Sequence, residues 1–240
     1  MDNSVTGVTQ RAKKILEGEV EPRGSGSGRG SRVGILALQG GVAEHSRMVT
    51  AVGAVPVLVR WAEQLDQIDA IILPGGESST IDRLLRIFEL AEPLAVRIRG
   101  GLPTLGTCAG MVLLAARVAD PAPGQQSLGI LDITVHRNAF GPQVDSEQAS
   151  VETTDGPVRA AFIRAPIVTE IGPGVDVLAR HRGQIVAVRS GAVTAISFHP
   201  ELVGDPTFHR QLLDAAINAL NRRPDQPGIP AAPQPAAAGS

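Results

Sequence analysis

Short apolar runs alternate with amphipathic stretches along the first half of the chain. Predominantly apolar residues occupy positions 33–38, 55–59 and 69–73, the last of which begins at Asp69, as is typical of strands buried on both faces of a sheet. A helical period of apolar positions joins the first two runs over residues 42–52, and another follows the third run over residues 81–88. This repetition of strand, helix and strand predicts parallel βαβ units.

Shorter strand-like segments replace this pattern in the second half of the chain. Two prolines and a glycine interrupt residues 121–124, and later segments are separated by turn signals such as Arg182-Gly183 and Ser190-Gly191. The segments are residues 130–136, 149–153, 159–163, 175–178, 185–189 and 193–198. The whole pattern predicts an α/β protein with an open mixed β-sheet flanked by helices, whose second half is rich in antiparallel strands.

The folded part of the chain is expected to end with one helix and to lie between two low-complexity segments. Asp205 is predicted to cap that helix, with Pro206 at its first position. Residues 1–31 are polar and rich in Gly and Ser, and residues 222–240 are rich in Pro and Ala. Such segments bury too little apolar area to offset the entropy of ordering them. We therefore expect a disordered leader, one domain over residues 32–221, and a disordered tail.

Composition narrows the classes of partner and compartment. The chain has 240 residues with 22 basic and 24 acidic side chains, which gives no electrostatic reason to expect nucleic acid or a membrane surface as a partner. It contains no run of about 18 apolar residues, the length that crosses a bilayer. Its single cysteine can form neither an internal disulfide nor a multi-cysteine zinc site. These features predict a cytoplasmic protein without a bound metal.

The single cysteine lies between an apolar run over residues 102–105 and a helix-forming run. The sequence Gly106-Thr107-Cys108-Ala109-Gly110 is typical of a nucleophile elbow, where a sharp strand-to-helix turn exposes the apex side chain and small neighbours admit a substrate. A buried structural cysteine between two packing glycines is the alternative. Groups expected beside the turn separate the two interpretations.

Two further loops are expected at the same sheet edge as Cys108. Gln39 and the pair Gly75-Gly76 each follow a predicted strand, and the carboxyl ends of parallel strands share one edge. The glycine pair either approaches a ligand or forms a plain strand-to-helix turn. Among the five histidines, only His199 follows an apolar strand and has a carboxylate, Glu201, two positions on. In an extended chain this spacing puts both side chains on one side, as a thiolate's acid/base partner and its orienting group require.

Six short motifs carry a resemblance to a known family. They are Leu36-Ala37-Leu38-Gln39-Gly40, Pro74-Gly75-Gly76-Glu77-Ser78, Gly106-Thr107-Cys108-Ala109-Gly110, Arg137-Asn138-Ala139-Phe140-Gly141, Phe162-Ile163-Arg164-Ala165-Pro166 and His199-Pro200-Glu201-Leu202. In this order the chain resembles the class I (triad) glutamine amidotransferases, which have a flavodoxin-like fold. The first, fourth and fifth motifs are similar to those of the glutaminase subunits of pyridoxal 5′-phosphate synthase. The resemblance spans roughly residues 33–219.

The resemblance implies an enzyme that hydrolyses L-glutamine to L-glutamate and ammonia. It implies Cys108 as the nucleophile, His199 as the acid/base and Glu201 as the group that orients His199. The backbone N–H groups of Gly76 and Ala109 would form the oxyanion hole. Glutamine would be held by Gly75, Gly76, Glu77, Arg137, Ile163 and Arg164. The arginines and the glutamate offer both charges that a free amino acid needs, and surface solvation is the alternative for the arginines.

The resemblance also implies a partner. In that family the ammonia passes to a separate synthase subunit, a TIM barrel that assembles pyridoxal phosphate from a pentose phosphate and a triose phosphate. The isolated glutaminase subunit is expected to be weakly active or inactive, because family members generally need the partner to complete the oxyanion hole. No phosphate loop of the Gly-x-x-x-x-Gly-Lys type and no metal-ligand cluster is visible in the sequence, so no cofactor is expected.

Three alternatives stay open. The chain could serve another amidotransferase such as imidazole glycerol phosphate synthase, although the Arg137 and Arg164 motifs argue against it. It could be a non-catalytic regulatory module on the same fold, with Cys108 buried and inert. It could also be a related cysteine hydrolase or peptidase, for which a carboxylate-binding pair of arginines would be unnecessary.

Overall fold

Twelve strands and five α-helices occupy the described part of the chain. The computed structural model describes residues 30–137 and 147–222. The strands are β1 (Arg32–Leu36), β2 (Val55–Val59), β3 (Ala70–Leu73), β4 (Thr104–Thr107), β5 (Ala115–Val118), β6 (Leu131–His136), β7 (Glu147–Thr153), β8 (Gly156–Phe162), β9 (Ile167–Ile171), β10 (Asp176–His181), β11 (Gln184–Ser190) and β12 (Val193–Ile196). The helices are α1 (Val42–Ala51), α2 (Ser78–Ile87), α3 (Ala91–Arg99), α4 (Ala109–Leu114) and α5 (Thr207–Asn221), with short 3₁₀ helices at Ala62–Gln67 and Pro200–Leu202.

All twelve strands belong to one mixed sheet. Its main path is β2-β1-β3-β4-β12-β11-β10-β7-β8. The first five strands of that path pair in parallel, and the rest pair antiparallel. Strand β9 branches from β11 and leads to β6 and β5. The predicted α/β class, with its antiparallel-rich second half, is confirmed.

Helices cover both faces of the sheet. Helices α1 and α5 enclose one core, which includes Val49 and Phe208, while α2, α3 and α4 enclose the other, which includes Leu85. Consecutive residues of β3 serve different cores, since Ile71 belongs to the second and Ile72 to the first. Strands β1 and β3 are nearly continuous apolar runs because both of their faces are buried.

Several element boundaries differ from the sequence-based prediction. Strand β4 begins two residues later than expected and ends at Thr107, directly before Cys108. Strand β5 was not predicted, because its residues continue the helix-forming run that ends at Leu114, and only pairing with β6 makes them a strand. Strand β9 was not predicted either, and it pairs with β6 and β11. Helix α5 begins one residue later than predicted. Pro206 therefore occupies the N-cap position predicted for Asp205, although Asp205 Oδ1 still accepts the N–H of the first helical residue, Thr207, at 3.0 Å.

Some expectations lie outside the described residues or concern membranes and metals. No helix among the described residues is long and apolar enough to cross a membrane. Within the same ranges, no group of three or more His, Cys, Asp or Glu side chains is arranged to hold a metal ion. The predicted leader and tail lie almost wholly outside the described residues, as do residues 138–141 of the fourth motif. The domain boundaries therefore stay predictions.

Candidate active site

Cys108 lies at a strained turn between β4 and α4. Its φ and ψ angles are 48° and −102°, a backbone conformation that side chains other than glycine rarely adopt and that costs on the order of 1–3 kcal/mol. The turn is held on both sides, because the Cys108 N–H donates to the Ile196 carbonyl at 2.8 Å and the Met111 N–H donates to the Cys108 carbonyl at 3.0 Å. The cysteine is 8% exposed. Strain maintained by surrounding bonds is the pattern expected of a functional turn.

Small residues let the elbow pack directly against β3. A Cβ added to Gly106 would lie 2.8 Å from the carbonyl carbon of Gly110, and one added to Gly110 would overlap the Leu73 carbonyl. Larger residues on either side of Cys108 would therefore push the turn away from the sheet edge.

His199 and Glu201 follow β12, which lies beside β4 in the sheet. The His199 backbone pairs with Ala161 at the end of β8, where its N–H donates to the Ala161 carbonyl at 2.9 Å. Its Nδ1 lies 2.7 Å from Glu201 Oε1. The expectation of an extended His-Pro-Glu segment is wrong, because Pro200 starts a 3₁₀ turn over Pro200–Leu202. The side chains still meet, since the tight turn brings the Glu201 carboxylate back to Nδ1 of His199.

Burial and hydrogen bonding set the protonation of this pair. Desolvation disfavours a charged His199 ring, but hydrogen bonds to Cys108 and Glu201 and their negative charges outweigh it, raising the pKa of His199 to about 10. Burial also disfavours a charged Glu201, yet the hydrogen bond from His199 and the nearby imidazoles lower the pKa of its carboxyl below the ordinary value. The site therefore favours an imidazolium beside a carboxylate at neutral pH.

The loop after β3 packs against both reactive side chains. The Gly75 N–H donates to Thr107 Oγ1 at 3.0 Å, and the Gly75 carbonyl accepts the Gly41 N–H at 3.1 Å. A Cβ on Gly75 would overlap Cε1 of His199 and lie 3.3 Å from Cβ of Cys108. Only glycine allows the backbone to come so close to the two side chains.

Charged groups of both signs lie on the other side of Cys108. Arg137 Nη2 is 3.2 Å from Glu77 Oε1, and its Nη1 donates to Gln125 Oε1 at 2.6 Å. Arg164 is exposed, has a φ of 44°, and makes no hydrogen bond or ion pair with another residue in the two described ranges. Its neighbour Ile163 presents its carbonyl 4.0 Å from the Cys108 Sγ. The arrangement offers a cation without a partner among the described residues and an ion pair that a zwitterionic ligand could replace.

Two adjoining cavities bring all ten predicted site residues together. One, of about 360 Å³, lies on the His199 side of Cys108. The other, of about 30 Å³, lies on the Arg137 side. Gly75, Ile163, His199 and Glu201 line the larger cavity, Ala109 and Arg137 line the smaller one, and Gly76, Glu77, Cys108 and Arg164 line both. A cavity of about 440 Å³ lies at the opposite sheet edge, between β4 and α5. This cavity does not include Cys108, the only cysteine of the chain. The candidate active site is therefore the pair of cavities that Cys108 lines.

The sequence as a whole matches one family. Residues 35–217 match the model of the SNO glutamine amidotransferase family, which is more than half of the chain. The chain belongs to the SNO glutamine amidotransferase family. The resemblance drawn from the six motifs is thereby confirmed.

Relatives in the glutamine amidotransferase family are named pyridoxal 5′-phosphate synthase subunit PdxT. The one from Acidothermus cellulolyticus is 56% identical over 186 residues, which are 74% of this chain and 90% of the relative. The one from Frankia alni is 54% identical over 189 residues, which are 77% of this chain and 94% of the relative. The chain therefore spans nearly the full length of these relatives.

Solved structures show the same architecture. A crystal structure of a glutamine amidotransferase is 44% identical, has a TM-score of 0.73, and is matched over 77% of this chain and 98% of that chain. The structure of PurLQS from Thermotoga maritima is 19% identical with a TM-score of 0.58, and the match covers 80% of this chain and 99% of that chain. The second likeness shows a shared fold alone.

Three side chains of this family member support the site without having been predicted. Gln125 holds Arg137 and donates from its Nε2 to Ser78 Oγ at 3.0 Å. Thr107 accepts from the Gly75 loop, and His45 contacts Thr107 from helix α1. A histidine among the apolar positions of α1 was the one signal for His45. No sequence signal indicated that Thr107 would hold the Gly75 loop or that Gln125 would hold Arg137, because these contacts form only in the folded chain.

Proposed function

We propose that this chain is the glutaminase subunit of a pyridoxal 5′-phosphate synthase, and that it works through the triad Cys108, His199 and Glu201. It would hydrolyse L-glutamine and pass the ammonia to a synthase subunit. The observation that carries the proposal is the meeting of the only cysteine, at a strained elbow, with a hydrogen-bonded His199–Glu201 pair. The family and the names of the relatives support the reaction and the pathway. They favour this synthase over imidazole glycerol phosphate synthase.

Glutamine would bind across the two cavities. Its α-carboxylate is matched by Arg164, which has no partner among the described residues, and by Arg137 once the ion pair with Glu77 opens. Its α-ammonium is matched by the Glu77 carboxylate, released by the same exchange. The backbone of Gly75, Gly76 and Ile163 lines the path to Cys108. In this binding mode the side-chain amide would lie at the sulfur.

The first half of the reaction forms a thioester. The Cys108 thiolate attacks the side-chain carbonyl carbon, and the developing oxyanion accepts hydrogen bonds from the Gly76 and Ala109 N–H groups. The His199 imidazolium, oriented by Glu201, donates its proton to the amide nitrogen. The carbon–nitrogen bond then breaks, ammonia leaves, and a γ-glutamyl thioester remains on Cys108.

The second half regenerates the enzyme. The neutral His199 imidazole takes a proton from a water molecule, which attacks the thioester carbon. The carbon–sulfur bond breaks, glutamate leaves, and the thiolate and imidazolium are restored. Glu201 keeps the same His199 nitrogen hydrogen-bonded throughout, so the other nitrogen performs both proton transfers.

The partner of this reaction would be a TIM-barrel synthase subunit that consumes the ammonia, in the cytoplasm. The isolated chain would release glutamate slowly or not at all, because the partner is needed to complete the oxyanion hole. No cofactor is required by any step, since the nucleophile and the acid/base are side chains and the oxyanion is held by backbone N–H groups.

Glutamate release tests the proposal. The assay compares the chain alone, the chain with a pyridoxal 5′-phosphate synthase subunit, and the synthase subunit alone, with asparagine as the substrate control. We expect release from glutamine only when both subunits are present, none with Cys108→Ala, and a fall of about 100-fold or more with His199→Asn. Absence of release from the complete pair would refute the glutaminase assignment. Activity of Cys108→Ala would refute the nucleophile assignment.

A further inference from the structure

A buried polar cluster lies behind the triad and is not used by the mechanism above. His45 on α1 is 0% exposed and His209 on α5 is 2% exposed. Their rings meet, with His45 Nδ1 2.9 Å from His209 Nε2. Thr107, also fully buried, completes the cluster. Polar groups removed from water in this way cost free energy unless they are hydrogen-bonded, so the partners of each ring nitrogen matter.

One nitrogen of His45 faces two parts of the site. Its Nε2 lies 3.1 Å from Thr107 Oγ1 and 3.5 Å from Glu201 Oε1. Thr107 Oγ1 accepts the Gly75 N–H, so the same contact reaches the loop beside the expected oxyanion hole. The other carboxylate oxygen, Glu201 Oε2, is buried with no hydrogen-bond partner among the described residues. Within the described ranges, His199 and His45 supply the polar side-chain contacts of this carboxylate.

The surroundings assign the proton of each ring. Glu201 Oε1 can only accept, and Thr107 Oγ1 keeps a lone pair after accepting the Gly75 N–H, so a hydrogen on His45 Nε2 suits both contacts. His45 Nδ1 is then an acceptor and receives the hydrogen of His209 Nε2. The remaining His209 Nδ1 is buried with no partner in the described chain, which suits a bare lone pair better than an N–H. Burial lowers the pKa of both His45 and His209, in agreement with two neutral rings.

We propose that His45 is a positioning residue of the glutaminase. Its Nε2–H holds the Glu201 carboxylate in line with His199 and, through Thr107, fixes the Gly75 loop. His209 sets the tautomer of His45. The inference depends on the proposed function. Because His45 lies on the Glu201 side and touches neither Arg137 nor Arg164, its loss should slow the chemical steps and leave glutamine binding almost unchanged.

Two amide replacements separate positioning from packing. The amide of His45→Gln reaches approximately the place of Nε2, whereas that of His45→Asn reaches approximately the place of Nδ1. Both remove the ring and leave a neutral polar group, so both disturb folding in similar ways. Val49→Ala is the matched control for stability, since Val49 lies one turn further along α1 and is equally buried, but belongs to the apolar core.

The experiment measures kcat and KM for glutamine hydrolysis by each variant in complex with the synthase subunit, together with each melting temperature. We expect His45→Asn to lower kcat roughly 10- to 100-fold, as for loss of a donor beside a buried carboxylate, with KM within about 3-fold. His45→Gln should recover kcat to within about 3-fold of wild type, and Val49→Ala should keep kcat within about 2-fold. Equal kcat values for the two amide variants, or an equal loss in Val49→Ala, would overturn the inference.

The tautomer assigned to His45 has a separate test. His209→Leu removes the donor to His45 and should lower kcat about 3- to 10-fold with unchanged KM. An unchanged kcat would contradict the assignment.

If the wild-type complex releases no glutamate, the proposed function fails. If wild type is active, Cys108→Ala is inactive and both His45 variants are fully active, only the positioning of Glu201 by His45 is wrong.

Discussion

The buried ring of His209 predicts an acid weakness of the fold. Burial, with a smaller contribution from neighbouring His45, lowers the pKa of His209 from an ordinary 6.5 to about 3. In the unfolded chain the imidazole takes up a proton below about pH 6.5, while in the native chain it stays neutral until about pH 3. Protons therefore favour the unfolded state, and the stabilisation present above pH 6.5 is lost as the pH falls toward 3.

The size of the effect follows from the shift in pKa. A group that is protonated in only one state changes the free energy of unfolding by about 1.4 kcal/mol for each pH unit. Most of the interval from pH 7 to pH 5 lies below the pKa of the unfolded imidazole, and all of it lies above the pKa of native His209. Over most of this interval only the unfolded state therefore carries the proton. The native protein should lose about 2 kcal/mol over this interval through His209 alone.

Urea unfolding at pH 7, 6 and 5 measures the effect. The comparison uses wild type and His209→Gln, which keeps a polar side chain but cannot titrate. His136→Gln removes an exposed imidazole and is the matched control. We expect His209→Gln to be less stable than wild type at pH 7, and the gap in the free energy of unfolding should narrow by about 2 kcal/mol at pH 5. A constant gap, or the same narrowing in His136→Gln, would show that burial of His209 does not govern acid stability.

Two further substitutions test the geometry around Cys108. Gly75→Ala should lower kcat by about 100-fold or more in the complex, because its Cβ would overlap the His199 ring; full activity would contradict the close approach of this loop. Arg164→Met should raise the KM for glutamine about 10- to 100-fold with kcat nearly unchanged. Arg182→Met, at another exposed arginine with positive φ, is its matched control and should leave KM unaltered.

The sequence predicted elements whose environment is uniform along their length. The unbroken apolar runs of β1 and β3 follow from burial on both faces, and the small residues around Cys108 follow from a sharp turn against a sheet. Strand β5 was missed because its local pattern continues a helix and only pairing with β6 makes it a strand. The His-Pro-Glu segment was misjudged for a similar reason. A proline φ near −65° suits an extended chain and a 3₁₀ turn equally well.

The support of the triad could not be predicted from local pattern. His45 and His209 are 164 residues apart in sequence and meet only because α1 and α5 pack on the same face of the sheet. Gln125 belongs to an irregular segment, and its contact with Arg137 depends on how that segment folds over α2. Reactive side chains have recognisable neighbours in sequence, whereas the groups that orient them are brought together by tertiary packing alone.

The central claim is a covalent intermediate on Cys108, and the chain is well suited to its detection because it has one cysteine. The complex with the synthase subunit would be mixed with glutamine, quenched in acid during the first turnover, digested and examined by peptide mass spectrometry. The account predicts the added mass of a γ-glutamyl group on the peptide that contains Cys108, and its disappearance in Cys108→Ala. Glutamate release without any adduct on that peptide, or an adduct on another residue, would contradict it.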